Sequence, residues 1–332
     1  SYIHDETVFS GVRSVVPATI ISFHDDKILE KKYWSLVDIE NSEISISEAK
    51  EKARHLLQDS IALQMQSDVP LGIFLSGGLD SSSLVALANE FSDVQLNTYA
   101  VNFEHKSELD QKFARNVAEI FGTAHSEISL TVDEATRALD ELLPLLDEPF
   151  SDTAMIATYL LAKFSRNQGV LVLLSGAGAD EVFGGYSRHQ NPTFFSKRYL
   201  LHSFMKKFGG TKLNFGGRIL RETYLKTEFP VLDLASQISG VNYHQLSRIL
   251  KKESFSEVLG KLDLELQGVV KVRPGMKRNL QIMKYDLKSY LTSNVLSLTD
   301  KATMASSVEA RVPFLDHRIV ELVYSLPIDY VL

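Results

Sequence analysis

One short segment constrains this chain more than any other. The apolar run Leu71-Gly72-Ile73-Phe74-Leu75 passes directly into Ser76-Gly77-Gly78-Leu79-Asp80-Ser81-Ser82, and a helical pattern then continues to about Glu90. A strand that ends in paired glycines at a helix start is a βα unit with an unusually tight turn. Parallel strands cannot be joined by hairpins and need crossovers, usually helical. A single βα unit therefore calls for more of its kind, and the sequence supplies them.

Residues 96–103 read as a second strand. Ser107, with Asp110 three residues on, opens a helix that Gly122 ends, and Thr131 with Glu134 marks another helix start, running to about Leu146. A further helix covers about 153–166. Val170-Leu171-Val172-Leu173-Leu174 is apolar throughout, as expected of a strand covered on both faces. Upstream, Ser45 with Glu48 opens a helix to about Gln66, and Ala49, Ala53, Leu56, Leu57 and Leu63 form one apolar stripe along it. In residues 1–40, Val8-Phe9-Ser10-Gly11-Val12 and Thr19-Ile20-Ile21-Ser22-Phe23 read as short strands, with Asp25-Asp26 as a turn. Residues 187–278 read as interrupted helix with Gly209-Gly210 and Gly216-Gly217 in loops. Residues 279–326 read as helix, a loop through Pro313, and helix again. The expected architecture is α/β, a parallel sheet flanked by helices, with a C-terminal helical part and a short N-terminal β segment.

Two loops carry chemistry. In residues 76–82 the glycines let backbone N–H groups approach an anion, the serines add donors, and the helix start adds positive potential. Asp80 would repel a bare phosphate, so the loop calls for a cation, most simply Mg²⁺ shared between carboxylate and phosphate oxygens. The bland alternative is a structural turn capped by Asp and Ser; the combined Ser-Gly-Gly-x-Asp-Ser pattern outweighs it. The second loop, Ser175-Gly176-Ala177-Gly178-Ala179-Asp180-Glu181-Val182-Phe183-Gly184-Gly185-Tyr186, follows the apolar run 170–174. Ligands of open α/β sheets bind at the carboxyl ends of strands, so both loops are expected to face one crevice, with Asp80 and Asp180 sharing the metal. A third segment, from Asp300-Lys301-Ala302-Thr303-Met304-Ala305 through Glu309-Ala310-Arg311-Val312-Pro313-Phe314-Leu315-Asp316-His317, shows no chemistry of its own and reads as a buried ion-pair segment.

Composition removes other classes. Lys+Arg number 35 and Asp+Glu 42, a net charge of −7 that argues against nucleic-acid or anionic-membrane partners. With no cysteine, the chain can hold no disulfide, thiolate zinc site, iron–sulfur cluster or Cys nucleophile. No purely apolar run exceeds residues 170–174, and Ser1-Tyr2-Ile3-His4-Asp5 does not begin a signal peptide, so a cytoplasmic protein is expected. The nine histidines lack His-Glu-x-x-His spacing and read as surface or packed residues. Neither Ser76 nor Ser175 sits in Gly-x-Ser-x-Gly, and no Gly-x4-Gly-Lys-Ser/Thr loop occurs.

At the two loops the sequence resembles the asparagine synthetase family, specifically its C-terminal synthetase domain. Residues 76–82 match that family's pyrophosphate loop, and Glu148-Pro149-Phe150, residues 175–186 and residues 309–317 match further blocks in order. Residues 1–40, with Phe9-Ser10-Gly11-Val12 and Tyr33-Trp34, look like the last strands of the glutaminase domain that precedes it; residues 41–332 would then be the synthetase domain, poorly matched over 187–280. The resemblance implies an adenine-nucleotide α-hydrolase-like, PP-loop fold. It implies ATP-dependent, AMP-forming amide synthesis by adenylation of a carboxylic acid, aspartate first, with ammonia or glutamine-derived ammonia as nitrogen source. Carried over by position, the 76–82 loop (Ser76, Gly77, Gly78, Asp80, Ser81, Ser82) holds pyrophosphate. Leu75, Val101, Ser175 and Gly176 border the ATP nucleotide, Asp80 and Asp180 bind Mg²⁺, and Ser175 and Asp180 are the catalytic candidates. A homodimer is compatible with it.

Three departures qualify the resemblance. The family's glutaminase domain begins with a catalytic cysteine, and this chain has none, so as given it is not expected to hydrolyse glutamine. The family carries a catalytic lysine beyond the Leu326-Pro327 region, after the point where this chain stops at Leu332. Where asparagine-forming members carry an acidic residue and β-lactam-forming relatives a tyrosine, this chain has Ala177. The rival readings are a lactam-forming cyclase of the same family and a nucleotide-binding protein with a decayed site.

Overall fold

Among the described residues, five parallel strands form the sheet that positions everything else, in the spatial order Ala124–Leu130, Asn97–Phe103, Leu71–Phe74, Val172–Leu174 and Glu309–Arg311. The computed structural model describes residues 5, 7–36, 43–103, 108–150, 152–190, 251, 260 and 277–332. The strands are β3 (Leu71–Phe74), β4 (Asn97–Phe103), β5 (Ala124–Leu130), β6 (Val172–Leu174) and β7 (Glu309–Arg311). Helix α1 (Ile46–Gln64) precedes them; α2 (Leu79–Phe91), α3 (Glu108–Phe121), α4 (Val132–Leu142) and α5 (Ala154–Asn167) make the crossovers. This is the expected parallel α/β architecture.

Period-two alternation explains why the sheet is covered twice. Ile73, Leu75, Ala100 and Leu174 turn to one face, where they meet Ile61 of α1, Leu84, Val85 and Ala88 of α2, and Ala114 and Ala118 of α3. Tyr99 and Leu173 turn to the other, against Leu161 and Ala162 of α5. Gly72 has no side chain because Tyr99 takes the space: a Cβ there would lie 2.7 Å from the tyrosine ring.

The helix starts behave as the spacing predicts. Ser45 with Glu48 and Thr131 with Glu134 both form reciprocal capping boxes. Ser107 lies outside the described residues, as does nearly all of the helical stretch expected over 187–278. Within that stretch the structure describes α7 (Ser187–Gln190), which follows α6 (Ala179–Phe183).

Three expectations need correction. The segment Val8–Val12 is a turn, not a strand: Gly11 has φ +78° and the Val12 N–H donates to the Phe9 carbonyl. The expected hairpin nearby does form, from β1 (Thr19–His24) and β2 (Lys27–Lys32), with Asp25 and Asp26 at positive φ in its turn. The helix expected from Asn279 is α8 (Arg278–Tyr285), a π-helical stretch (Asp286–Leu296) and α9 (Ser297–Met304); nothing in the residue pattern marks the change of pitch. The segment 309–317 supplies strand β7, then a 3-10 turn (Pro313–Leu315) leading to α10 (His317–Ser325) and α11 (Ile328–Val331). Its Arg311 is not a buried ion pair: Nε pairs with the exposed Glu309, while Nη1 donates to the carbonyls of Gln64 (2.6 Å) and Gln66 (2.7 Å), capping the end of α1.

The chain divides into two compact units, one of residues 1–31, 184–293 and 332, the other of residues 32–183 and 294–331. The second contains the sheet. In the first, Asp286 is fully buried and bonds Arg188 Nε at 2.8 Å and His189 Nε2 at 2.5 Å, while the Arg188 guanidinium lies 3.7 Å from the Tyr186 ring centre. His189 is thus a packed histidine, as its spacing suggested. No helix among the described residues is long and apolar enough to cross a membrane.

Candidate active site

Beyond the carboxyl ends of β3, β4 and β6 lies a cleft of about 290 Å³. Ser76, Gly78, Asp80 and Ser81 line it from the first loop, Ser175, Gly176 and Ala177 from the second, and Phe74 and Val101 from the strands. The two loops touch: a Cβ added at Gly176 would stand 3.2 Å from the Asp80 Cβ and 3.4 Å from the Ser81 nitrogen. One crevice therefore takes both glycine-rich segments.

The first loop holds itself open. Ser81 Oγ accepts from the Ser76 N–H at 3.2 Å and bonds Ser76 Oγ at 3.0 Å, and Ser76 Oγ accepts from the Gly78 N–H. Gly78 is the N-cap of α2 and provides no side-chain cap, so the first N–H groups of this 13-residue helix face the crevice uncapped. Gly77 has φ +79°, and its missing Cβ leaves room for α3, whose Ala114 nitrogen would be 2.7 Å away and Phe113 Cβ 2.9 Å. In the second loop the Ala177 N–H donates to Ser175 Oγ, and the Ser175 N–H donates to the Arg311 carbonyl at 2.8 Å, fixing the loop to β7. Gly178, at φ +90°, packs so closely on Leu315 that any Cβ would overlap that side chain. The segment 309–317 is thus the wall behind the second loop, a role its residue types do not advertise.

Among the described residues that line the cleft, Asp80 is the one with an ionisable side chain. Burial above all, and then the charge of Asp180, push its carboxyl above the usual carboxylate range. Asp80 stands in the uncapped first turn of α2, close enough to Asp180 to feel its charge, an arrangement that suits a divalent cation arriving with a phosphate. Among the described residues no group of three or more His, Asp or Glu forms a cage of its own. That donor set matches Mg²⁺, which commonly takes one or two carboxylates plus substrate phosphate oxygens.

Of the residues named from sequence, Ser76, Gly78, Asp80, Ser81, Val101, Ser175 and Gly176 line the cleft. Leu75, Gly77, Ser82 and Asp180 do not; Leu75 is buried in the core beneath the loop. Ala157, Thr158 and Leu161 of α5 and Thr299 of α9 complete the wall, and sequence reasoning missed all four. For α5 the available signal was Ala157 with Thr158, small residues in an apolar first half of the helix; Leu161 and Thr299 carry none. The Asp147–Phe150 and 300–304 segments also meet, since Lys301 pairs with Asp147 and lies 5.3 Å from the Phe150 ring centre.

A parallel α/β sheet with two glycine-rich turns meeting over its central strands defines the class of protein. Within that class the chain belongs to the asparagine synthase family, whose sequence profile matches residues 52–332. It is 27% identical over 336 residues to asparagine synthetase [glutamine-hydrolyzing] 1 of Bacillus subtilis, covering 97% of this chain and 50% of that protein. It is 32% identical over 281 residues to a putative asparagine synthetase [glutamine-hydrolyzing] of Mycobacterium tuberculosis, covering 82% of this chain and 41% of that protein. The chain thus spans about half the length of the relatives it matches, or less. Among solved structures, an NH3-dependent NAD synthetase from Campylobacter jejuni aligns at 12% identity and TM-score 0.30, over 70% of this chain and all of that one. A U34-tRNA thiolase from Methanococcus maripaludis aligns at 14% identity and TM-score 0.33, over 86% and 89% of the two chains.

Proposed function

We propose that the cleft binds ATP and Mg²⁺ and that the natural protein makes an amide by adenylating a carboxylic acid, aspartate being the first candidate. The observation that carries this reading is the meeting of the two loops at one crevice, in a member of the asparagine synthase family. In the first step a carboxylate oxygen attacks the α-phosphorus and pyrophosphate leaves. In the second an amine attacks the acyl carbon, AMP leaves and the nitrogen loses a proton. Backbone N–H groups of residues 76–82 and the α2 start suit the departing pyrophosphate. Asp80 and Asp180 would hold Mg²⁺, which when bound neutralises charge building on the phosphate oxygens. Ser175 and Gly176 would border the nucleotide from the β6 side, and Val101 from β4. The setting proposed is the cytoplasm, with ammonia, free or glutamine-derived, as nitrogen donor.

Residues 1–40 are proposed to be the end of a glutaminase-like β domain, with 41–332 as the synthetase domain. In support, the β1–β2 hairpin exposes Ile20, Ile21, Phe23, Ile28 and Leu29, apolar surface that a two-stranded ribbon cannot cover alone.

Ala177 favours a second reading. It lines the cleft, yet its side chain can neither transfer a proton nor accept a hydrogen bond, so an amine must find its base elsewhere. In the natural-length protein we expect ATP binding to be intact and ammonia-dependent asparagine formation to be slow, by about 10²–10⁴-fold if only a proton-transfer group is missing. Ala177→Glu is then expected to raise asparagine formation while leaving ATP affinity nearly unchanged. If no asparagine forms although ATP binds, the lactam-forming reading takes precedence. Ala177→Tyr, assayed on a substrate carrying both amine and carboxylate, is its matching test.

A further inference from the structure

Away from the cleft lining, on the α3 side of the sheet, one carboxylate gathers an unusual number of partners. Glu127 of β5 accepts a two-pronged contact from Arg115 of α3, Nε to Oε1 at 2.9 Å and Nη2 to Oε2 at 2.6 Å. It also accepts from Asn102 Nδ2 of β4 at 2.8 Å and bonds His125 Nε2 at 3.1 Å. His125 Nδ1 in turn bonds Thr98 Oγ1 at 2.9 Å, and that hydroxyl bonds Thr123 Oγ1. Arg115 above all holds the Glu127 carboxyl at about 2, so the charge persists at any working pH.

The partners matter because of where their neighbours stand. Ala114, next to Arg115, is the residue whose backbone abuts Gly77 of the first loop. Val101, next to Asn102, lines the cleft. A fork between planar guanidinium and carboxylate fixes orientation as well as distance. We propose that Glu127 is a positioning residue for the cleft: through Arg115 it seats α3 against the 76–82 loop, and through Asn102 it sets the end of β4 beside Val101. Both walls are thereby tied to one carboxylate that touches no ligand itself. The proposal rests on the reading of the cleft as an ATP site for its functional consequence, not for its structural content.

The test is Glu127→Gln in the natural-length protein, which keeps shape and removes charge. Two measurements are made: hydrogen exchange of the ligand-free protein, and the ATP KM and kcat. Amides of residues 76–82 and 113–115 are expected to exchange faster while the amides of α5 do not. The ATP KM should rise about tenfold with kcat at saturating ATP within about twofold, a coupling typical of residues acting through neighbours. Joint Arg115→Glu and Glu127→Arg substitution remakes the fork but not the Asn102 bond, so it should restore protection at 76–82 and 113–115 while the ATP KM recovers only in part. Uniformly faster exchange, or unchanged exchange at 76–82, would overturn the proposal and leave a merely structural network. If Glu127→Gln does not fold, Arg115→Gln carries the same two measurements from the exposed end of the pair. If wild-type protein binds no ATP, the ATP reading fails, and the exchange pattern still decides the role of Glu127.

Discussion

Replacing Gly77 by alanine is expected to lower the melting temperature by about 5 °C and to remove nucleotide binding. Two costs add at this position. An L-residue at φ +79° pays about 1–2 kcal/mol for the left-handed conformation. The new Cβ would also lie 2.7 Å from the Ala114 nitrogen, and backbone cannot swing aside as a side-chain tip can, so overpacking adds about 1–3 kcal/mol. Relief requires α3 and the 76–82 loop to separate, which spoils the cradle of N–H groups. Gly122→Ala is the control: φ is +62° but nothing stands within 4 Å of the added Cβ. It should show the conformational cost alone, with nucleotide binding intact. Thermal melting and ATP titration of both variants check the pair.

Asp80→Asn is expected to reduce Mg²⁺-dependent ATP–pyrophosphate exchange by about 10³-fold or more in the natural-length protein, since a held divalent ion contributes several kcal/mol. Stability should move the opposite way. Folding raises the Asp80 pKa, through burial and then Asp180, so the ionised side chain opposes the folded state near neutral pH. A neutral amide of the same shape removes that opposition, and the melting temperature should hold or rise. Retained exchange in this variant would remove Asp80 from the metal site. A fall in both exchange and melting temperature would show a structural role instead.

Much of this arrangement is legible in the sequence where local chemistry decides the outcome. The capping boxes at Ser45 and Thr131 form as written, because reciprocal bonds between Ser or Thr and a Glu three residues on need nothing from the rest of the protein. Strand β6 is equally plain, since three consecutive fully buried apolar residues leave little else to form. Strand β5 is not plain. Its Ala-His-Ser-Glu-Ile-Ser-Leu is polar at positions that become half-buried only because His125 and Glu127 find Thr98, Asn102 and Arg115, all distant in sequence. Strand β7 escapes notice for a different reason: three residues, Glu309 to Arg311, carry no period that can be read.

The site divides along the same line. Its two loops announce themselves because glycine, serine and aspartate at a strand end have few other uses. Thr158 and Thr299 do not, for each hydroxyl bonds a carbonyl four residues back, Ala154 of α5 and Val295 of the π-helical stretch, and only packing turns them towards the cleft. The Val8–Val12 segment misleads because β-rich composition is a statement about half-buried surfaces, and Gly11 at positive φ breaks the run into a turn.

Residues 76–82 and 175–178 are proposed to form one nucleotide site. Hydrogen–deuterium exchange of this chain with and without Mg²⁺ and ATP tests it most directly. Both loops should gain protection together, with residues 157–161 of α5, over one range of ATP concentration. Protection of one loop without the other, or of neither while ATP is shown to bind, would contradict it.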